Sequence, residues 1–213
     1  MHTRVENLSE TDQAMSASDI ARQRCVGNHA AMQSYDKNQR QIALHRAPTS
    51  MPTVPICASR VGTVLVDDES VPWVPLAPLS DKAQIKYLRL DPVRGEIIAL
   101  VRLAAGARLP RHHHSGSVIV YTLEGRWKYL ESDWIAGPGS MVFDSAASAH
   151  TPQVVGNGAP ATTLNIIMGD VTFYSGDNEV LAIENWKSSL QRYLDYCACA
   201  GIAPRDLTAL AAT

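Results

Sequence analysis

Short apolar segments separated by glycine-containing turns fill the chain from about residue 60 onward. Many short strands at hairpin spacing, with no helices alternating between them, are typical of an antiparallel barrel or sandwich. The predicted strands cover residues 63–66, 97–103, 118–123, 126–130, 140–143, 162–168, 171–174 and 180–183. The pattern therefore predicts an all-β domain.

One helix is predicted after the strands. Asn185 is a suitable N-cap, and Gly201 and Pro204 are suitable residues to end the helix. Its apolar side chains recur at helical spacing on one face, at Trp186, Leu190, Tyr193, Leu194 and Cys197. We expect this helix to cover an open end or face of the barrel.

The first 50 residues differ from the rest, because they contain only six Val, Ile or Leu residues among many Gln, Asn, Ser and Arg residues. Such a segment cannot easily offset its ordering entropy by apolar burial. We therefore predict a poorly structured N-terminal arm and linker at residues 1–58. Residues 59–203 would form the domain with its closing helix, and residues 204–213 a C-terminal tail.

Charge and composition exclude several classes of protein. The 19 basic and 21 acidic side chains give a formal net charge of −2, which is not the basic footprint of a nucleic-acid binder. No apolar run approaches the roughly 20 residues that span a bilayer, and the start lacks an apolar signal segment. The four cysteines fit neither a disulfide framework nor a paired zinc pattern. We expect a soluble, cytoplasmic protein that binds neither nucleic acid nor membrane.

Three of the seven histidines are consecutive, at positions 112 to 114. Because side chains alternate along a strand, His112 and His114 would share one face while His113 points away. His150 is the remaining histidine of the β region, and it supplies a third ligand for a metal site. Imidazole suits Zn, Cu, Fe and Ni, so these residues alone leave the metal open.

The residues around these histidines resemble the two motifs of the cupin superfamily. Residues 106–125 contain a glycine, five residues, H-x-H and a later glycine, as in the first motif. Residues 139–150 have the spacing of the second motif, with its histidine at position 150. The resemblance implies a single-domain cupin, which is a small antiparallel jelly-roll β-barrel with a metal inside.

The chain departs from the cupin motifs at two places. Val118 and Ile119 stand where the first motif usually has a glutamate, and Ser145 and Ala147 replace the usual Pro-x-Gly. A cupin that uses that glutamate as its fourth ligand is therefore disfavoured. What remains is a three-histidine centre with open positions for substrate and O2.

Another carboxylate could act at this centre. If Arg126 and Lys128 face water, then Glu131 shares the inward face of the strand with Trp127 and Tyr129. We predict Glu131 as a catalytic residue, although the strand could instead end before it and leave the side chain solvated. Trp127 and Tyr129 could stack on an aromatic substrate or fill the barrel core.

The central part of the chain resembles a particular cupin family, the 2,4′-dihydroxyacetophenone dioxygenases. The resemblance spans about residues 70–200 and excludes the N-terminal arm. It rests on residues 71–75, 111–115, 121–125, 127–131, 133–134, 138–140 and 150–151. These are iron enzymes that cleave the C–C bond between a ketone carbonyl and the adjacent hydroxyl-bearing carbon with O2.

The resemblance implies that His112, His114 and His150 hold Fe(II), with Zn, Mn or Ni as open alternatives. The match of Glu131 to a family residue is less secure. We also predict that Tyr121 binds the substrate together with Trp127 and Tyr129. We therefore predict an Fe(II)-dependent dioxygenase that cleaves a small, aromatic hydroxyketone with O2.

Two other functions stay open at this stage. One is a non-oxidative metal-dependent enzyme, either an isomerase or a hydrolase, which would not consume O2. The other is a metal-binding sensor or regulatory cupin of the kind appended to anti-sigma factors, which would bind zinc tightly without turnover. In each case we expect a homodimer, because cupin barrels commonly pair and the N-terminal arm could reach across.

Overall fold

The computed structural model describes residues 64–156 and 158–208. The chain divides into two units, which are residues 1–49 with 199–202 and residues 50–198 with 203–213. All of the strands below belong to the second unit. The predicted N-terminal arm at residues 1–58 lies outside the described residues.

Twelve strands and one α-helix, α1 (Trp186–Ala200), make up the regular structure of the described residues, with a short 3-10 helix at Asp68–Ser70. The strands are β1 (Val74–Pro75), β2 (Ala83–Asp91), β3 (Glu96–Leu103), β4 (His112–His114), β5 (Val118–Glu124), β6 (Trp127–Tyr129), β7 (Met141–Asp144), β8 (Ala149–His150), β9 (Pro152–Val154), β10 (Ala161–Met168), β11 (Val171–Tyr174) and β12 (Val180–Glu184).

The strands form two main sheets and a small one. The larger sheet has the order β1-β2-β3-β10-β5-β7, the second has the order β12-β11-β4-β8, and β6 pairs with β9. Every one of these pairings is antiparallel. Buried side chains from both main sheets belong to one hydrophobic core. This architecture confirms the prediction of an all-β antiparallel domain with a C-terminal helix.

Seven of the eight predicted strands coincide with observed strands to within one residue at each end. The exception is the predicted strand at residues 63–66, because residues 64–66 are not in a strand and residue 63 is not described. The longest strand, β2, is absent from the predicted set. A bulge between Tyr87 and Arg89 shifts its register, so the buried Ile85 and Tyr87 are followed by Leu90 rather than by Arg89. That shift hides the alternation of period two that identifies a strand.

The closing helix begins at the predicted N-cap. The backbone N–H groups of Lys187 and Ser188 donate to the Asn185 side-chain oxygen at 3.0 and 3.1 Å. Tyr193 and Cys197 are fully buried on the predicted apolar face. The helix ends at Ala200, and Gly201 follows with a φ of +67°.

Residues after the helix continue to pack on the second unit. Leu207 is buried, and its carbonyl accepts a hydrogen bond of 2.9 Å from the backbone N–H of Leu90 in β2.

Cys197 is a free thiol, whereas Cys199 is disulfide-bonded, so the expectation of no disulfide is wrong for Cys199. Within the described part of the chain, no helix has the length and apolar character needed to cross a membrane.

Candidate metal centre

The antiparallel pairing of β4 with β8 brings the three histidines together. His112 lies directly opposite His150 in this pairing, and His114 is two residues along on the same face of β4. His112, His114 and His150 are only 6%, 4% and 4% exposed. His113 is half-buried on the other face, as strand alternation requires.

The spacing of the imidazole nitrogens fits a single metal ion. Nε2 of His114 lies 3.1 Å from Nε2 of His150, and one nitrogen from each of the three rings lies within 4.8 Å of the other two. Two nitrogens that are each about 2.1 Å from one ion, at roughly 90–110°, are about 3.0–3.4 Å apart. No carboxylate joins this cluster among the described residues.

The outer nitrogens of two rings face oxygen atoms. His112 Nδ1 lies 3.1 Å from the Pro110 carbonyl oxygen, so a proton on Nδ1 leaves the Nε2 lone pair for the metal. His150 Nδ1 is 3.8 Å from Asp144 Oδ1, which is longer than a hydrogen bond. His114 Nδ1 is buried and has no hydrogen-bond partner among the described residues, and nothing in the structure explains this.

All three histidines are held neutral in the absence of a metal. Burial lowers the pKa of His112 to about 4 and those of His114 and His150 to about 3, from an ordinary value of 6.5. The neighbouring imidazoles contribute to the shifts of His114 and His150. Neutral imidazole is the form that binds metals, so the three ligands require no deprotonation at neutral pH.

These shifts predict how the stability of the metal-free protein depends on pH. Each folded-state pKa lies below the unfolded value of 6.5, so between pH 6.5 and about 4 the unfolded chain binds more protons. The free energy of unfolding should therefore be constant above pH 7 and fall by about 2 kcal/mol or more between pH 7 and pH 5. Urea unfolding at a series of pH values measures this.

A variant with His112, His114 and His150 all replaced by glutamine is the matched control. It keeps every other titrating group, so it should lose most of the decrease in stability below pH 6.5. An equal decrease in both proteins would show that the pH dependence arises elsewhere.

Tyr129 and Asp144 fix the position of His150. The Tyr129 ring stacks on the His150 ring, with centroids 3.7 Å apart and planes at 8°. The Tyr129 hydroxyl donates a hydrogen bond of 2.7 Å to Asp144 Oδ2. Burial raises the pKa of the Asp144 carboxyl, and this hydrogen bond opposes the rise. Asp144 was not identified from the sequence, because it lies just beyond the predicted strand at residues 140–143.

Glu131 lies outside the histidine cluster. Strand β6 ends at Tyr129, and Glu131 is an exposed residue in the turn that follows. Its carboxylate accepts hydrogen bonds from the backbone N–H and the hydroxyl of Thr151, at 2.9 and 2.8 Å. Partial burial acts to raise the pKa of Glu131, but the Thr151 hydrogen bonds lower it below its ordinary value. Glu131 thus fixes Thr151, which is the residue after His150. The catalytic role of Glu131 stays a prediction.

A cavity of about 110 Å³ adjoins the histidines and is lined mainly by apolar side chains. His112, His114, Trp127 and Tyr129 are part of its wall. Tyr121 is not, because it lies on the opposite face of β5 from the cavity-lining Val118 and Val120. Aliphatic residues supply most of the remaining wall, among them Leu76, Ile85, Ile97, Val101, Leu103, Leu109, Ile167 and Val171.

The wall also contains polar residues that were not identified from the sequence. Thr163 and Asn165 face the cavity from β10, while Tyr87, Glu184 and Ser189 face it from β2, β12 and α1. The Asn165 amide donates to the Thr163 hydroxyl at 2.9 Å. Tyr87 could be recognised only if β2 had been predicted. Glu184 and Ser189 could be recognised only from the position in which α1 packs, and no local sequence signal gives that position.

Comparison with known proteins identifies the fold and one close relative. Residues 61–163 match the family of ChrR cupin-like domains. An RmlC-like cupin protein of known structure from Ralstonia eutropha JMP134 is 44% identical over 71% of this chain and 97% of that chain, with a TM-score of 0.68. No curated protein matches the chain in sequence.

More distant structures share the fold alone. A protein with a cupin-like fold from the same Ralstonia strain is 20% identical over 72% of this chain and 96% of that chain, with a TM-score of 0.64. An acetylacetone dioxygenase from Acinetobacter johnsonii is 16% identical over 71% of this chain and 99% of that chain, with a TM-score of 0.55.

Proposed function

This chain belongs to the RmlC-like cupins, and we propose that it is an Fe(II)-dependent dioxygenase that cleaves a C–C bond of a small hydroxyketone. The observation that carries the proposal is the set of three neutral imidazoles beside an apolar cavity, with no carboxylate ligand among the described residues. Three protein ligands leave coordination positions open for a substrate and for O2.

Each part of the site has a role in this proposal. His112, His114 and His150 would hold the ion, and Tyr129 would keep His150 in place by stacking on it. A bound Fe(II) would supply Lewis-acid chemistry and a template for a chelating hydroxyketone and O2. We propose that Trp127 and Tyr129 contact the substrate, since both line the cavity.

The size and polarity of the cavity support a small organic substrate. Its volume of about 110 Å³ is of the same order as the ~150 Å³ of an engineered apolar cavity that binds benzene. One ring or a short chain is therefore the largest substrate that it would enclose without rearrangement. Apolar walls also exclude water, which favours oxidative cleavage over hydrolysis. An acetylacetone dioxygenase is built on the same fold, so the fold accommodates this class of reaction.

Oxygen uptake tests the proposed function. The chain is reconstituted with Fe(II) without oxygen, and 2,4′-dihydroxyacetophenone is then added in aerated buffer. We expect one O2 to be consumed per substrate, with two carboxylic acids as products, 4-hydroxybenzoic acid and formic acid. His150→Ala should abolish the uptake, and His113→Ala should preserve it.

A metal-binding regulatory cupin is the second candidate, and the match to the ChrR cupin-like domain favours it. Stoichiometric, tight zinc binding without O2 uptake from any hydroxyketone tested would support this candidate and contradict the dioxygenase. Turnover of a ketone without O2 consumption would instead indicate an isomerase or a hydrolase. The homodimer also stays a proposal, which the mass of the protein in solution would test.

A further inference from the structure

The outer face of the larger sheet is apolar across four neighbouring strands, β3, β10, β5 and β7. The register aligns eight apolar side chains in two rows, the first being Ile98, Ile166, Ile119 and Phe143 and the second Leu100, Leu164, Tyr121 and Met141. Alternate residues of β3, β10 and β5 line the cavity, so these eight side chains point away from it. No charged side chain interrupts either row. We call these eight residues the outer apolar face.

None of the eight side chains is fully buried. Met141 and Phe143, on the edge strand β7, are 51% and 71% exposed, and the other six are half-buried. Single exposed apolar side chains are common on protein surfaces, but a contiguous apolar face marks a site where another surface packs. The outer apolar face is therefore a candidate interaction surface.

The dimensions of this part of the sheet suit a partner of protein size. The five strands from β2 to β7 in sheet order are about 24 Å wide, and three successive rows are about 20 Å long, which gives roughly 480 Å² in projection. Protruding side chains have more accessible surface than their projected area. The surface is therefore of the same order as the ~800 Å² per partner that a specific interface buries.

A row of polar residues borders the outer apolar face. Arg102 of β3 and Glu124 of β5 both pair with Thr162 of β10, which lies between them. The Thr162 hydroxyl donates to the Glu124 carboxylate at 3.3 Å, which places Glu124 on the outer side of the sheet. Arg102 lies over the Trp73 ring, 4.2 Å from its centroid. Neither charged side chain has an ion-pair partner among the described residues, so the row has opposite, unpaired charges on the two sides of β10.

This arrangement of charges is self-complementary about β10. A twofold axis that runs parallel to β10 between two copies places β3 of one copy over β5 of the other and keeps equivalent rows opposite each other. Arg102 of each copy then faces Glu124 of the other, while the two outer apolar faces pack together. A closed dimer needs such an isologous surface, in which one patch meets a second copy of itself.

We propose that the outer apolar face is the interface of a homodimer, with its twofold axis along β10. A second copy fits this surface better than a charged partner does, because the two rows have no charge and the bordering charges match each other. The first 50 residues are a poorer occupant, because they contain only six Val, Ile or Leu residues. This proposal locates the interface of the homodimer and does not depend on the reaction at the metal centre.

Sedimentation velocity of the full chain tests the surface. We expect the unchanged protein to have twice the 23.1 kDa mass of one chain. Phe143→Glu should raise the dissociation constant of the dimer about 100-fold or more, because it would bury a carboxylate of each copy between the apolar rows. Leu181→Glu is the matched control and should remain a dimer, since Leu181 is 52% exposed but lies on β12 of the other main sheet. Met141→Glu provides the same test if Phe143→Glu fails to fold.

A charge exchange tests the position of the twofold axis. Arg102→Glu and Glu124→Arg should each weaken the dimer about tenfold, because each places like charges opposite one another at two symmetric positions. The double variant restores opposite charges and should dimerise to within about threefold of the unchanged protein. A monomeric unchanged protein, a dimer that withstands both Phe143→Glu and Met141→Glu, or one that Leu181→Glu dissociates equally would overturn the interface. A double variant that dimerises no more tightly than the single variants would overturn the axis.

Discussion

Replacing His150 by alanine is expected to weaken metal binding by more than about 100-fold and to abolish O2 uptake with it. Substitution of residues that only support a metal ligand typically costs 10–100-fold in affinity, and His150 is itself a candidate ligand. Its Nε2 atom lies 3.1 Å from that of His114, so its loss leaves two imidazoles and no described carboxylate to replace it. Metal content after reconstitution and anaerobic Fe(II) titration measure the effect.

Two further variants make this prediction specific. His112→Ala should behave like His150→Ala, because the two residues are paired across β4 and β8 and both are buried. His113→Ala should bind metal as the unchanged protein does, because its side chain lies on the other face of β4. Equal loss of metal in all three variants would contradict the assignment of ligands by alternating faces.

Gly125→Ala should lower the free energy of unfolding by about 3 kcal/mol. Gly125 follows β5 with a φ of +75°, a conformation that costs an alanine about 1–2 kcal/mol. An added Cβ would also lie 2.1 Å from the Pro160 carbonyl oxygen and 2.6 Å from Ala161 Cα. Both atoms belong to the backbone at the start of β10, so the contact cannot be relieved by rotating a side chain. Urea unfolding measures the loss.

Gly139→Ala separates the two contributions to this loss. Gly139 has a φ of +86°, but an added Cβ would meet nothing within 4 Å. This variant should therefore lose only the conformational part, about 1 kcal/mol. If both variants lose the same amount, the turn after β5 is able to move away from β10 and the predicted steric contact is wrong.

The histidine centre could be predicted from the sequence because its signals are local. Three consecutive histidines on a strand place His112 and His114 on one face whatever the rest of the chain does. The motif spacing then identified His150 as their partner, and the structure brings the three together. Strands bounded by glycine turns were predictable for the same reason, as the agreement for seven of them shows.

The environment of the histidines was not predictable, because it depends on residues that meet only in the fold. Asp144 of β7 contacts Tyr129 of β6 although the two strands belong to different sheets, and Glu131 is exposed because β6 ends two residues before it. Strand β2 was not predicted either, because one bulge moves Leu90 inward and interrupts the alternation of side chains that identifies a strand.

The sequence alone thus determined the fold class, the closing helix and the three candidate metal ligands, since period, capping and motif spacing are properties of neighbouring residues. Only the tertiary structure decided the shape of the cavity and which polar residues line it. Tyr87, Glu184 and Ser189 are separated by up to 102 positions in the chain and face one cavity because the sheets and α1 pack around it. Burial there raises the pKa of Tyr87 to about 12, which no local pattern encodes.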